Sequence, residues 1–401
     1  MLRRRGPVKA PPSGRTIRLL KAILLPIILL VTGCDDNVNP RREEIDGIEY
    51  VRNRSRPADG NPLPAPAPPL DLIMVEGSTG DFPSWSAIRD VRAVEGIGWA
   101  VVDMHRTEVI WFDNTGGLLA TMDLSQSGLD LTSPVAMAFT ITGEGVCVDM
   151  ALRRALTFSA DGARLSSFQI DDGLPMDLDI GPRGDIYVLT SSHPDDGREH
   201  LLQVRRFGAG GAPLKIAGND SLLIEHHTIT DPGASSPMSI SVSPQNTLYT
   251  AGRDYMIHQV LTDGTHRVIT RPTIESRIPD PVIEQQRSLM RQRVSSQQRQ
   301  VTIMETLAIV QVIALDSGGV LVQTNEWHPS MLDAEISSRS TILLLDQFSE
   351  DGVFQRRHAV ELPTPHMLVH ITDETEGYLY GYAVPATGGG QTSIFRFHLS
   401  P

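Results

Sequence analysis

The chain has 401 residues, 40% of them hydrophobic, enough for one large repeat domain or two ordinary ones. Its formal charge is −13, and because the first 33 residues hold seven basic and no acidic side chains, the remainder carries 28 basic against 48 acidic, a balance that opposes binding to nucleic acid. The 34 glycines and 28 prolines suit a fold of many tight turns, and with only two cysteines, Cys34 and Cys147, stability is left to core burial.

Arg3, Arg4, Arg5, Lys9, Arg15, Arg18 and Lys21 form a basic run, and the twelve residues from Ala22 to Gly33 carry no charge. As a helix that stretch rises only about 18 Å, short of the roughly 20 apolar residues that span a bilayer. Residues 1–33 therefore read as a signal peptide. Leu30-Val31-Thr32-Gly33-Cys34 resembles the lipobox of bacterial lipoproteins. The resemblance implies cleavage before Cys34, its lipidation, and an extracytoplasmic place in the bacterial cell envelope, periplasmic or surface-facing, on a lipid bilayer. Several acyl chains on one cysteine give the stable attachment that a single chain cannot.

Residues 34–69 are polar and end in Pro62-Leu63-Pro64-Ala65-Pro66-Ala67-Pro68-Pro69, a semi-rigid tether. Within them Asp35–Glu44 reads as linker, and Ile48-Glu49-Tyr50-Val51 as a short strand that could lie on the edge of the domain.

From residue 70 one unit recurs. Its first copy, Ile88–Asp123, alternates apolar runs with a Gly turn, a polar loop and an Asp-Asn-x-Gly-Gly turn. Further copies start at Val135, Met176, Met238, Gln311 and Leu368; in the third, Leu214–Ile216 reads as the fourth strand. Four short strands make a blade that cannot bury both faces alone, so the repeat predicts an all-β, six-bladed β-propeller over 70–401. The sixth copy lacks a fourth strand, and Leu70–Glu76 has no other role, so that N-terminal strand is expected to close the ring. Ala100-Val101-Val102-Asp103 with Trp111-Phe112-Asp113 and Gly116-Gly117, and Val146-Cys147-Val148-Asp149 with Phe158, Asp161 and Gly162, resemble the repeats of NHL-like six-bladed propellers of bacterial envelope proteins. The resemblance covers Asp71 to Leu399 and implies a scaffold rather than an activity. Asp280 and Pro281 suit the start of a helix, so 280–304 reads as a helical insertion, a rim decoration or a lid.

Ligands of propellers bind at the channel mouth, on loops between second and third strands and between blades. Those loops carry Asp103, His105 and Arg106; Asp149 and Arg153; His193; Arg253 and Asp254; Glu326, Trp327 and His328. Charges of both signs with a tryptophan make a polar candidate mouth for a small ligand or an envelope protein. His105, His193, His200 and His328 could meet there around a metal, but no spacing along the chain forces two of them together, and the adjacent His226 and His227 point to opposite faces of a strand. They read as solvated loop histidines, and no cofactor is expected. No G-x-S-x-G turn or phosphate loop is present, and no convincing Glu, Asn and Asp set of the kind propeller lactonases place around calcium. Cys147 lies in an apolar strand and reads as a core residue. The expectation is a lipid-anchored propeller that binds a ligand or protein; the alternative is a hydrolase or lyase with a metal-assisted site at the mouth.

Overall fold

The computed structural model describes residues 40–53, 71–75, 88–125, 130–160, 162–193, 199–228, 239–252, 255–272, 309–324, 342–361, 366–375, 377–385 and 392–398. All of these lie in one compact unit, Val38–Pro401; the other unit, Met1–Asn37, lies outside them, as do Cys34, the Pro62–Pro69 run and the predicted helix at 280–304. The described residues form strands and turns and no helix.

Two strands, β1 (Arg41–Ile45) and β2 (Ile48–Arg52), precede β3 (Asp71–Val75). The first repeat is β4 (Ile88–Val94), β5 (Gly98–Asp103), β6 (Glu108–Phe112) and β7 (Leu118–Asp123). The second is β8 (Pro134–Phe139), β9 (Gly145–Asp149), β10 (Arg154–Phe158) and β11 (Arg164–Gln169). The third is β12 (Leu174–Ile180), β13 (Ile186–Ser192), β14 (Glu199–Phe207), β15 (Pro213–Leu214) and β16 (Leu222–Thr228). The fourth is β17 (Ile240–Val242), β18 (Leu248–Gly252), β19 (Met256–Val260) and β20 (His266–Thr270). The fifth is β21 (Ile309–Ala314), β22 (Val320–Thr324), β23 (Ile342–Phe348) and β24 (Phe354–Glu361). The sixth is β25 (His366–Thr375), β26 (Tyr378–Pro385) and β27 (Ser393–His398).

Each repeat is an antiparallel sheet, and β3 pairs with β27 as the outer strand of the last. The first strands touch in cyclic order, β4 on β8, then β12, β17, β21, β25 and back to β4. This is a β-propeller arrangement, as the repeats predict.

The core lies between sheets rather than within one. Trp111 and Met122 of the first sheet pack on Met137, Cys147 and Phe158 of the second. Tyr380, Tyr382 and Ile394 of the last pack on Val91, Trp99 and Val101 of the first. Middle strands are apolar on both faces because both are covered; β5 is buried at every position. Trp99 and Phe112 stack with ring centres 4.2 Å apart, a pairing that adds about 0.5–1.5 kcal/mol to the burial of the rings.

Hairpins are closed by one recurrent turn. The amide of Gly116 donates to the Asp113 carbonyl, and the same bond joins Gly143 to Thr140, Gly184 to Gly181, Gly264 to Leu261 and Gly352 to Ser349. The glycine takes a left-handed conformation, φ 88° at Gly116, as a type I turn followed by a bulge requires. Gly145 is needed for a different reason: a Cβ there would stand 2.2 Å from the Phe158 ring.

The structure differs from the sequence reading at two edges. The fourth strand of the third sheet is chiefly β16, which pairs with β14 over Glu199–Val204, while Pro213–Leu214 makes only a short bridge beyond the Gly208–Gly211 turn. Arg41–Ile45, part of the expected linker, is a strand. Its charges meet opposite charges on its hairpin partner, Arg42 on Glu49 and Glu43 on Arg52. The expected edge strand Ile48–Val51 is present as β2, laid parallel to β20. Asn53 fastens it: its amide donates to the carbonyls of Thr270 and Gly352, and its oxygen accepts from the Phe354 N–H at 2.8 Å.

Candidate functional site: the long-loop rim and the channel beneath it

The two rims are built differently. Connections from first to second and from third to fourth strands are mostly tight hairpins, such as 95–97, 140–144, 181–185 and 315–319; the longer one is 208–221, between β14 and β16. The strand ends joined from second to third strands and from one sheet to the next lie on the opposite rim, and the stretches of sequence between them include 76–87, 271–308 and 325–341. Long connections on a rigid scaffold are where binding residues concentrate.

Asp103, His105 and Arg106 share the β5–β6 turn on this rim. Asp103 is fully buried; its Oδ1 accepts the N–H groups of His105 and Arg106 at 3.2 and 3.3 Å, and Arg106 Nε stands 3.8 Å from Oδ2. Asp149 is also fully buried, at the end of β9. Its Oδ2 accepts from the N–H groups of Thr132 and Ser133 and its Oδ1 from Leu152 N–H, so it ties the incoming connection to the β9–β10 turn. Both carboxylates are engaged in holding rim loops by their backbone, the role of an aspartate at a turn. His105, Arg153 and His193 are exposed, each in the loop of its own sheet. Arg253, Asp254, Glu326, Trp327 and His328 lie outside the described residues.

The root of the 271–308 connection is fixed by a buried ionic cluster. Asp346 of β23 receives Arg357 at 2.7 and 3.0 Å, Arg271 at 3.1 Å and the Tyr255 hydroxyl. Arg271 opens the 271–308 connection, and its guanidinium lies over the rings of Tyr255 and Phe354 at 4.9 and 5.3 Å. Burial, then the Asp346 charge, pushes the Tyr255 hydroxyl well above its usual range, so it stays a donor.

A second constellation, which the sequence reading did not pick out, lines the channel. First strands have one unpaired edge, and side chains of neighbouring first strands satisfy its amides. Asp90 Oδ2 accepts from Met137 N–H at 3.0 Å, Asp177 from Ile240 at 3.0 Å and Asp179 from Val242 at 2.7 Å. Ser239 and Ser241 do the same for Val312 and Ala314, each at 3.0 Å. Arg92 reaches over the channel: Nε is 3.1 Å from Asp90 Oδ2, Nη2 is 3.7 Å from Asp177 Oδ1 and Nη1 is 4.0 Å from Asp179 Oδ1. The signal was present as polar residues two apart in short apolar strands, Asp90-x-Arg92, Asp177-x-Asp179 and Ser239-x-Ser241.

Two buried carboxylates, Asp90 and Asp177, and the half-buried Asp179 share one guanidinium there. Burial raises all three above the usual carboxylate range against the pull of Arg92, Asp177 to about 7. Burial, then Asp90, also raises the Tyr382 hydroxyl. Burial, then Asp149 and Asp90, raises the Cys147 thiol, which holds it as an unreactive core group. Among the residues whose side chains are described, no group of three or more His, Cys, Asp or Glu stands ready to hold a metal. The channel cluster is an ion-paired group, its carboxylates engaged by Arg92 and by strand amides.

No family model and no curated protein matches the chain. Solved structures resemble it at low identity. A putative exported protein from Bacteroides fragilis is 9% identical with a TM-score of 0.49, covering 88% of this chain and 100% of that one. Virginiamycin B lyase from Staphylococcus aureus is 11% identical with a TM-score of 0.42, covering 82% and 98%. A gluconolactonase from Xanthomonas campestris is 12% identical with a TM-score of 0.44, covering 85% and 100%. At these levels the propeller stands on the strand pairing itself, and none of these activities transfers to the chain.

Proposed function

We infer that this chain is a binding module: a six-bladed propeller of the NHL-like kind, closed by β3 and held to a membrane of the bacterial envelope by lipid on Cys34. It binds a small ligand or an envelope protein through the rim that carries His105, Arg106, Arg153, His193, Arg253, Asp254, Glu326, Trp327 and His328. The observation that carries the reading is the inequality of the connections, those on one rim mostly tight hairpins and those between the strand ends of the other including 76–87, 271–308 and 325–341, with Arg271 at the root of 271–308 held by Asp346. The channel supports it, since Arg92, Asp90, Asp177 and Asp179 are already engaged with one another and with strand amides.

Support for six blades and for closure comes from the six sheets, the cyclic contacts of their first strands and the β3–β27 pairing. The lipid anchor rests on the Leu30–Cys34 segment alone.

Crosslinking in an envelope preparation tests the binding role. A variant with 325–341 replaced by a short Gly-Ser link should lose adducts that wild type forms, while a variant altered in the 140–144 hairpin keeps them. Identical patterns for all three proteins would overturn it. Cys34→Ser should move the protein from the membrane to the soluble fraction of a bacterial host, and a chain that stays in the membrane would remove the lipid anchor from the reading. Deleting 71–75 should lower the melting temperature by several degrees; an unchanged melt would refute closure by β3.

A further inference from the structure

Two turns of the ring share one sequence pattern. Ser159-Ala160-Asp161-Gly162-Ala163 follows Phe158 between β10 and β11, and Ser349-Glu350-Asp351-Gly352-Val353 follows Phe348 between β23 and β24. Each is closed by its glycine amide, Gly162 on the Ser159 carbonyl at 2.8 Å and Gly352 on the Ser349 carbonyl at 2.9 Å. Each also leans on the outer strand of the preceding sheet. A Cβ on Gly162 would stand 3.0 Å from Met122 Sδ of β7, and a Cβ on Gly352 2.8 Å from Ile269 Cγ1 of β20. Met122 and Ile269 are each the last residue but one of their strands, so the two sites superpose position by position.

Beside β20 the space is filled by β2. It runs parallel to β20 with Val51 opposite Ile269, Val51 is buried among Tyr249, Ile257, Ile269 and Phe348, and Asn53 ties its end to Gly352 and Phe354. Beside β7 the described residues supply no such strand: β7 is the outermost of its sheet. Leu118 and Leu119 are 50% and 53% exposed there. A groove of about 430 Å³ runs past Trp111, Leu119 and Met122 to Ala160 and Gly162. One sheet further round, the matching space is closed by a side chain. Phe168, last but one in β11, packs on Phe207 with ring centres 4.9 Å apart and meets Gly211 of the next turn.

We propose that the β7 groove takes an extended segment of a partner protein, added parallel to β7 as β2 is added to β20, with the pattern apolar-x-aliphatic-x-Asn. The pattern follows from β2 residue by residue. The aliphatic side chain lies opposite Met122, as Val51 lies opposite Ile269. The asparagine reaches the backbone of Gly162 and Arg164, as Asn53 reaches that of Gly352 and Phe354. The first position differs. Glu49, which holds it in β2, pairs with Arg267, whereas β7 has Ala120 there beside exposed Leu119, so an apolar residue takes the place of the charge. Main-chain hydrogen bonds give an added strand its affinity, and alternate side chains give it its specificity.

The experiment is fluorescence anisotropy on the full-length protein, with a labelled synthetic peptide of the sequence Asp46 to Ser55 carrying Glu49→Leu. Wild type should bind it saturably, with a Kd below about 1 mM. Leu119→Lys changes an exposed position and should leave the melting temperature as it is, yet weaken binding about tenfold or more, since a lysine on an edge strand opposes strand addition. Leu165→Lys is the control: it is 52% exposed, at the matching bulge of β11, and should bind as wild type does. Peptides carrying Val51→Asp or Asn53→Ala should each bind about fivefold more weakly or worse, a comparison that leaves the protein untouched. Bound peptide should slow amide exchange in β7 and not in β11. Absence of saturable binding up to about 1 mM overturns the proposal, as does equal binding by Leu119→Lys and wild type. So does a wild-type dimer that Leu119→Lys dissolves, which would put a second copy in the groove. Failure here leaves the binding role of the long-loop rim untouched, since that role is read by crosslinking of the 325–341 variant.

Discussion

Arg92 Nη2 on β4 donates to the carbonyl oxygen of Leu178 on β12, at 3.2 Å, across a gap that a whole sheet separates along the ring. One side chain thus braces two first strands that are not neighbours, while its charge is shared by Asp90, Asp177 and Asp179. Arg92→Met keeps the length and removes the charge, leaving three carboxylates facing one another. Breaking a buried pair from one side costs about 3–5 kcal/mol. Urea denaturation at pH 8 should show a loss of that order, smaller at pH 5, where the carboxylates can be neutralised. An unchanged midpoint would mean that the brace contributes nothing.

Asp177 gives the channel its own pH dependence. Burial lifts its folded pKa to about 7, whereas in the unfolded chain it titrates near 3.9. A raised folded pKa favours folding below the unfolded value, and the advantage is lost as pH rises from about 4 through 7. Asp177→Asn retains an oxygen for the Ile240 N–H and carries no charge. Its stability relative to wild type should climb between pH 4 and pH 8, and a constant difference over that range would refute the assignment.

Two histidines act with the opposite sign. His258 is buried, with Nδ1 3.1 Å from His266 Nε2; burial, then His266, drives it down to about 3. Burial, then Arg356, lowers His358 to about 4. Unfolded histidine titrates near 6.5, so the contribution of both is complete above that value and drains away as pH falls toward 4 and then 3. Between pH 7 and pH 5 wild type should therefore lose stability relative to His258→Gln, so the melting temperature of the variant should fall less, or rise more, than that of wild type. A steeper slope in that variant would contradict the burial argument.

Asn53 is 5% exposed and serves two sheets at once. Asn53→Ala strips a partner from the Phe354 N–H and from the carbonyls of Thr270 and Gly352. Each buried group left without one costs about 1–3 kcal/mol. The expected result is a lower melting temperature and faster amide exchange along β2 and β20. Exchange confined to β2 would show that the hairpin is held by strand pairing alone.

The blades were legible because buried strands with period-two runs and Gly turns write their boundaries plainly. Trp99–Asp103 and Ile186–Leu189 needed no further context. The edges were not. Arg41–Glu44 carries four charges in a row and reads as linker until Glu49 and Arg52 stand beside it. The Gly208–Gly211 turn drew the fourth strand to Leu214, when the pairing of β14 continues eight residues later. Asp103 and Asp149 were picked as ligand groups for their charge and place; their carboxylates instead meet loop amides, which a lone aspartate at a strand end does not announce.

The hairpin of β1 and β2 also decides how the molecule would bear a load. Its outermost pair is Arg41 with Arg52, next to the Asn53 fastening. Any tension applied to the chain ahead of Arg41 falls on that pair first and parts β1 from β2 like a zipper, one rung at a time. The ring feels nothing until β1 is drawn out. A force–extension trace should therefore open with a low-force step as β1 peels, well before the rupture of the propeller. A single high-force event would show that the hairpin is no shock absorber.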